Sequence, residues 1–190
     1  MKKITVLLLG ILCLPFSWAM AHEFDVNLNQ DSARFYYAQS LIGEGKGRAD
    51  AEVGFLYTED DFNLIHLGVH VMDQTGDRTR SLEMSIGGRI FLGTKDKVEI
   101  AALGLGGDIR LIPGAFYRRL AFIVDVHFAP NITAFADIKQ YSEYGGRISY
   151  QILPRAHVYF GYRNVGVKIN QGDDRIKLDE GGHIGLQIQF

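Results

Sequence analysis

Cysteine is almost absent from this chain: the only one among its 190 residues, Cys13, lies in an apolar segment near the amino terminus. The rest of the chain therefore has neither a disulfide framework nor a cysteine-ligated metal. Lysine and arginine form no basic run, and the formal net charge is −2, which argues against a nucleic-acid partner. After residue 21 no apolar run reaches the roughly twenty residues that a membrane-spanning helix requires. No segment has a convincing helical apolar face of three turns.

The first 21 residues, MKKITVLLLGILCLPFSWAMA, have the layout of a secretory signal peptide. Two lysines precede a short apolar run, and Ala19 and Ala21 form a small-x-small cleavage site. We expect cleavage before His22, which leaves residues 22–190 as one domain of ordinary size. A lipoprotein anchor at Cys13 is disfavoured because Leu12 precedes it, where a small residue is required. The short basic start is typical of bacterial export.

Apolar and polar residues alternate along most of the remaining chain, as in NLIHLGVHV and LAFIVDVHF. This period of two is typical of strands with one buried face. Short turns between the segments indicate an antiparallel meander. The sequence therefore predicts an all-β fold, a closed antiparallel up-and-down barrel of about ten strands. Eight strands are the alternative if EFDVNLN and ARFYYAQS do not pair; either even number returns both termini to one end.

The polar face distinguishes a soluble barrel from a membrane barrel. A soluble barrel turns its apolar face inward, whereas a membrane barrel turns it towards lipid. Here the polar face combines balanced charges with many glycines, such as Gly54, Gly87 and Gly106. Glycine weakens a water-facing strand, but inside a narrow barrel it leaves room for long arginine and glutamate side chains. We therefore predict a transmembrane barrel with a polar interior. Its predicted charge network consists of Glu83, Arg89, Asp108, Arg110, Asp125, His127, Arg147 and Arg163.

The chain ends in EGGHIGLQIQF, where an alternating strand runs to the last residue, Phe190. Termini usually fray, so a strand that reaches the terminus needs a partner, and closure of the barrel supplies the first strand. His183, Gly185, Ile188 and Phe190 resemble the carboxy-terminal insertion signal of bacterial outer-membrane barrels. The resemblance implies that the barrel-assembly machinery recognises this strand.

A wider resemblance extends along nearly the whole domain after His22. FLYTEDD, the strand ending in HFAP, the stretch AFADIKQYSEYGGRISYQILPRAHVYFGYRNVGV and the closing DEGGHIGLQIQF resemble the YfaZ family of small outer-membrane proteins. The resemblance implies a β-barrel in the bacterial outer membrane and little else, because the family has no established biochemical activity.

Three groups of residues are candidate sites. Asp125 and His127 share a strand face and are similar to half of the catalytic group of omptin proteases, in which a carboxylate and an imidazole activate a water molecule. In this chain a distant acidic pair such as Asp60 and Asp61 would assist them. The alternative, which we favour, is that both side chains pair with interior arginines.

The inner-face histidines (His66, His70, His127, His157 and His183) lack the close spacing of a metal site. The acidic clusters TEDD, QGDD and LDE could hold divalent ions that bridge to lipopolysaccharide, or be ordinary solvated turns, which we favour.

The sequence therefore predicts an outer-membrane barrel with a structural or surface-interaction role, without catalysis and without a cofactor. The alternatives are a narrow pore and, less favoured, an omptin-like hydrolase or a soluble periplasmic barrel that binds a small ligand. Expected partners are outer-membrane lipid, lipopolysaccharide and, during insertion, the assembly machinery. The turns LIPGAF and ILPRA should face the periplasm, and the loops 59–61, 129–142 and 170–182 the outside.

Overall fold

The computed structural model describes residues 22–43, 47–60, 62–76, 81–95, 98–114, 117–170 and 175–190. The predicted signal peptide, residues 1–21, lies outside the described residues. Eleven strands follow one another: β1 His22–Leu28, β2 Ser32–Ile42, β3 Gly47–Thr58, β4 Asn63–Gly76, β5 Ser81–Lys95, β6 Val98–Ile112, β7 Leu120–Ala129, β8 Ala134–Ala136, β9 Ile138–Leu153, β10 Ala156–Ile169 and β11 Arg175–Gln189. No helix in these ranges is long and apolar enough to cross a membrane.

Ten of these strands form a closed antiparallel barrel, in which each strand pairs with its neighbours and β11 pairs with β1. The closing register places Phe24 opposite Ile188 and Leu28 opposite Ile184. The first two strands pair along the whole of β1, so the prediction of ten strands is confirmed and the alternative of eight is wrong. The remaining strand, β8, has three residues and pairs with β6 beyond the end of β7.

His22, the first described residue, and Phe190 lie at one end of the barrel, together with the β2–β3, β4–β5, β6–β7 and β9–β10 connections. We call this the turn end and the opposite end the loop end. The turns LIPGAF and ILPRA lie at the turn end, between β6 and β7 and between β9 and β10, although residues 115–116 of the first are outside the described residues. That this end faces the periplasm stays a prediction. The predicted loop 59–61 lies at the loop end, although residue 61 is outside the described residues.

Two predicted loops are much shorter than expected. Of 129–142, only a short stretch around the 3-10 turn Asn131–Thr133 and β8 separates β7 from β9. The backbone of this stretch is hydrogen-bonded to β6: the Asp137 N–H donates to the Glu99 carbonyl at 3.2 Å. Of 170–182, strand β11 takes up everything from Arg175 onward. Val165 pairs with Asp179 and the next residue, Gly166, pairs with Lys177, so Leu178 is an extra residue in β11. This bulge shifts the alternation within β11, which hid the start of the strand in the sequence.

The outer surface of the barrel is apolar. Ile86, Leu105 and Val124 are 73%, 71% and 60% exposed, and the predicted apolar positions Leu103, Ile184 and Leu186 also face outward. Leucine, isoleucine, valine and phenylalanine continue this belt around every barrel strand. So large a contiguous apolar surface is not found on soluble monomers, whereas a barrel in lipid requires it. The predicted transmembrane orientation, with the apolar face outward, is confirmed.

Candidate functional site: the barrel interior

A layer of buried charges crosses the middle of the interior. The Arg89 guanidinium on β5 donates through Nε and Nη2 to the two carboxylate oxygens of Glu52 on β3, with Nη2 at 3.1 Å from Oε2. The Tyr36 hydroxyl donates to the same Oε2 at 2.7 Å. Arg89 Nη1 also lies 3.2 Å from His127 Nδ1 on β7. Glu52, Arg89 and His127 are buried, so the carboxylate and the guanidinium need these partners to offset their lost hydration.

A second ion pair joins opposite walls of the barrel. Arg34 Nη1 on β2 donates to Glu143 Oε1 on β9 at 2.6 Å, although these strands are not neighbours in the sheet. The Tyr141 hydroxyl donates to the other carboxylate oxygen of Glu143 at 2.9 Å. The lumen is therefore narrow enough for side chains from facing walls to meet, as expected for a barrel of this strand number.

A third polar group lies against β1, β10 and β11. The Tyr159 hydroxyl donates to Asp25 Oδ1 at 2.6 Å. Arg163 donates through Nε to Asp179 Oδ2 at 2.6 Å and through Nη1 to Asn27 Oδ1 at 2.8 Å. Most of the charged groups in the interior thus have hydrogen-bonded partners from other strands, which ties distant parts of the barrel wall together.

Inward-facing glycines make room for rings on the neighbouring strand. A Cβ atom built on Gly54 would lie 2.1 Å from Cε1 of His66, and one on Gly87 would lie 2.0 Å from Cδ2 of His70. Each glycine is the direct cross-strand partner of its histidine. The same relation holds for the pairs Gly106–His127 and Gly185–Tyr159. The expected role, space for glutamate and arginine, is seen at Gly68, which lies beneath Glu52 and Arg89.

The loop end of the interior is filled by apolar side chains. This apolar plug consists of Leu56, Phe62, Leu64, Phe91, Ile100, Ala102, Ala129, Ile138, Tyr141, Val165, Val167 and Leu178, all buried. The rings of Phe91 and Tyr141 stack across the lumen with centroids 4.1 Å apart. The prediction of a polar interior is therefore wrong for this end of the barrel. Inward side chains there meet each other instead of water, and such contact favours apolar residues.

The turn end of the interior is open. A cavity of about 330 Å³ extends inward from Gln189 and Phe190 to Arg89 and His127. Its wall is polar and carries both signs of charge, including Asp50, Glu83, Asp108, Arg110, Asp125 and Arg147. We call this cavity the vestibule. Taken together, the interior is a polar vestibule that ends at the central charge layer, with the apolar plug beyond it.

The family model described as YfaZ precursor matches residues 1–190, the whole chain. The chain belongs to the YfaZ family. No protein with a curated description matches it. Among solved structures, a chain from a study of the in-meso crystallization of membrane proteins is 13% identical over 90% of this chain and 83% of its own length, with a TM-score of 0.47. A KdgM porin is 11% identical over 90% of this chain and 99% of its own length, with a TM-score of 0.42.

The predicted charge network of this YfaZ-family barrel lies on the inner face throughout, but it is not a single network. Arg89 and His127 belong to the central layer, Arg147 lies 3.6 Å from Asp25, and Arg163 belongs to the group on β1, β10 and β11. Asp108 accepts from the Ser85 hydroxyl at 2.5 Å. Glu83 and Arg110 face each other across β5 and β6 and line the vestibule with Asp125.

The acidic partners of these arginines were not part of the predicted site. Glu52, Asp25 and Asp179 pair with Arg89, Arg147 and Arg163, respectively. Glu143 pairs with Arg34, which was not predicted either. Tyr36 and Tyr159 complete the hydrogen bonds. Asp25 and Asn27 lie on the polar face of the alternating segment EFDVNLN, so the same pattern could have identified them. The tyrosines gave no such signal, because a tyrosine fits either face of a barrel strand.

The omptin-like arrangement of Asp125 and His127 is not formed. Both ring nitrogens of His127 have other neighbours: Nδ1 contacts Arg89, and Nε2 lies 3.4 Å from Nε2 of His70. Asp125 therefore does not orient the imidazole as a catalytic carboxylate would. Of the acidic pair proposed to assist, Asp60 lies in the β3–β4 loop, and Asp61 is outside the described residues.

The five histidines predicted to face inward are all buried in the lumen. His70 and His127 stack with ring centroids 5.3 Å apart, and the others are spread over the height of the barrel. In the described part of the chain, no three histidine, cysteine, aspartate or glutamate residues come together as metal ligands.

The four residues that resemble an insertion signal lie on the strand that closes the barrel. His183 and Gly185 face inward, and Ile188 faces the same side as the apolar belt. The Phe190 N–H donates to the His22 carbonyl at 3.0 Å, and the His22 N–H donates to the Phe190 carbonyl at 2.8 Å. The last residue is thus paired with the first residue of β1, which answers how a strand can run to the terminus without fraying. Recognition by the assembly machinery stays a prediction.

Proposed function

We propose that this YfaZ-family protein is a small outer-membrane barrel with a structural or surface-interaction role, and that its lumen does not conduct ions. The outward apolar belt supports a location in a membrane. The expected signal peptide and the outer-membrane location that membership of the YfaZ family implies support the bacterial outer membrane. The omptin-like pair does not form, which supports a role without catalysis.

The observation that carries this proposal is the apolar plug. An ion that enters the vestibule would have to pass the paired charges of Glu52 and Arg89 and then shed its hydration among Phe91, Tyr141 and their neighbours. Transfer of an ion into such surroundings costs many kcal/mol, since nothing there replaces the lost water. With the lumen closed by the apolar plug, the loop end and the outer surface are the parts of the protein that would contact other molecules.

Single-channel recording in planar bilayers tests the closed lumen. We expect no regular conductance steps from the wild-type barrel, and steps from a Phe91→Ala/Tyr141→Ala variant that loses the stacked rings of the plug. Phe135→Ala/Tyr117→Ala serves as the matched control, because both side chains are more than half exposed outside the lumen. Regular steps from the wild-type protein would overturn the proposal.

The vestibule favours the second candidate, a narrow pore, because half of the lumen is already polar and open. That function would require the plug to rearrange, and wild-type conductance in the same experiment would select it. A soluble periplasmic protein would be released by osmotic shock without detergent. We expect instead a protein in the outer-membrane fraction that migrates differently on detergent gels with and without heating.

A further inference from the structure

The outer surface of β9, β10 and β11 changes character near the loop end. Below this level the three strands present Ile148, Phe160 and Ile184 to the outside. Above it the outward positions hold a polar patch, which consists of Tyr144, Tyr162, Asn164, Lys168, Arg175, Lys177 and Glu180. Tyrosines at such a boundary are typical of the interface between hydrocarbon and headgroups. The patch therefore lies at the level of lipid headgroups.

Arg175 is held against the barrel wall within this patch. Its Nη2 donates to Asn164 Oδ1 at 2.6 Å, and its guanidinium carbon lies 5.7 Å from the centre of the Tyr144 ring. A Cβ atom built on Gly166 would lie 2.6 Å from Nε of Arg175, so the glycine is what allows the side chain to lie there. The guanidinium is thus positioned in advance, which lowers the entropy cost of binding an anion.

The patch brings like charges together. Lys168 and Arg175 are direct cross-strand partners, on the same side of the sheet, and like charges in such pairs destabilise a sheet. Lys177 adds a third cation, and its Nζ lies 2.5 Å from Glu180 Oε2. The Tyr162 hydroxyl occupies the other oxygen of Glu180 at 2.6 Å. Among the described residues of the patch, three cations thus face one carboxylate that is already engaged, and an added anion would relieve the excess.

We propose that the polar patch binds a phosphate group of lipopolysaccharide in the outer leaflet, with Arg175 as its central contact and Lys177 and Lys168 beside it. A guanidinium matches phosphate through parallel N–H donors, and the ammonium groups add charge. The acyl chains of the same lipid would lie along Ile184 and Phe160 below. This inference rests on the proposed outer-membrane location, because only there does the loop end meet this lipid.

Native mass spectrometry of the folded protein with added lipid A tests the site. We expect the wild-type barrel to retain bisphosphorylated lipid A about tenfold better than dephosphorylated lipid A, as for a hydrogen bond to a charged group. Arg175→Gln/Lys177→Gln should remove this preference. Arg118→Gln/Arg119→Gln is the matched control, because it deletes two exposed cations at the turn end and should retain the preference.

Heat-dependent gel migration of the same samples separates the two levels of the proposal. A wild-type protein that does not form a heat-modifiable barrel would contradict the proposed function. A folded wild-type barrel without preference for phosphorylated lipid A, or a folded Arg175→Gln/Lys177→Gln variant that keeps the preference, would overturn the binding site alone. If that double variant does not fold, Lys177→Gln decides by the same comparison, since the Lys177 side chain is 67% exposed and its loss should not affect folding.

Discussion

His66 on β4 lies across Gly54 on β3, so close that a Cβ atom on Gly54 would come within 2.1 Å of the imidazole. The two residues are direct cross-strand partners, and the ring is almost wholly buried. We expect Gly54→Ala to lower the free energy of unfolding by about 1–3 kcal/mol, because the ring must leave its position in a packed interior. Urea unfolding of the refolded protein in lipid vesicles measures the change.

Gly88→Ala is the matched control for this substitution. Gly88 faces outward, and a Cβ atom there would meet only ordinary contacts at 3.7 Å and beyond. The stability should therefore change by less than about 0.5 kcal/mol. In addition, His66→Ala should make Gly54→Ala far less damaging, as expected for residues in direct contact. Equal losses from Gly54→Ala in the presence and absence of His66 would contradict the ring-over-glycine relation.

The ion pair between Glu52 and Arg89 gives the second prediction. Glu52→Gln removes the negative charge but keeps the shape, and it leaves the buried Arg89 guanidinium without its counter-charge. We expect a loss of about 3–5 kcal/mol in the free energy of unfolding. Arg48→Gln is the comparison, because Arg48 and Asp50 form a more exposed pair at 2.8 Å whose loss should cost at most about 1 kcal/mol. Similar losses from both variants would show that the central charge layer does not hold the barrel together.

Much of this architecture could be predicted from alternation, because one residue in two must meet lipid and the other the lumen. The strands around Ile65, Val69 and Val124 show this pattern plainly. The apolar plug could not be predicted in the same way. Leu64 and Phe91 face inward beside the outward Ile65 and Leu92, and apolar residues on both faces of a strand remove the alternation that identifies the inner one. At Val165 and Val167 the alternation persists, but the apolar residues lie on the inner face. Pairing partners such as Arg34 and Glu143 were also hidden, since only closure of the barrel brings β2 and β9 face to face.

The outward apolar belt predicts a distinct pattern of thiol labelling, which is simple to measure because no cysteine follows His22 in the sequence. In lipid nanodiscs, a thiol at Leu105→Cys should react with a lipid-soluble maleimide and resist a sulfonated one. A thiol at Ile132→Cys, in the exposed turn at the loop end, should react with both. A thiol at Ala102→Cys, which lies within the apolar plug, should react with neither maleimide. Rapid labelling of Leu105→Cys by the sulfonated reagent would contradict the membrane orientation.

Substitution of Phe190 distinguishes a role in recognition during assembly from a role in stability after assembly. Its ring is about half exposed and stacks on His22 with centroids 5.9 Å apart, while its hydrogen bonds to His22 use only the backbone. Phe190→Ala should therefore cost about 1 kcal/mol in the refolded barrel. If the terminal strand is read by the assembly machinery, the same substitution should cause a much larger loss of heat-modifiable protein from the outer membrane of cells. Phe135→Ala, at an exposed aromatic residue of the loop end, should leave the cellular amount unchanged. Equal cellular amounts of the Phe190→Ala and Phe135→Ala variants would contradict recognition of the Phe190 ring. The ring would then contribute no more than any exposed aromatic residue, and the carboxy-terminal strand would be held by its backbone pairing alone.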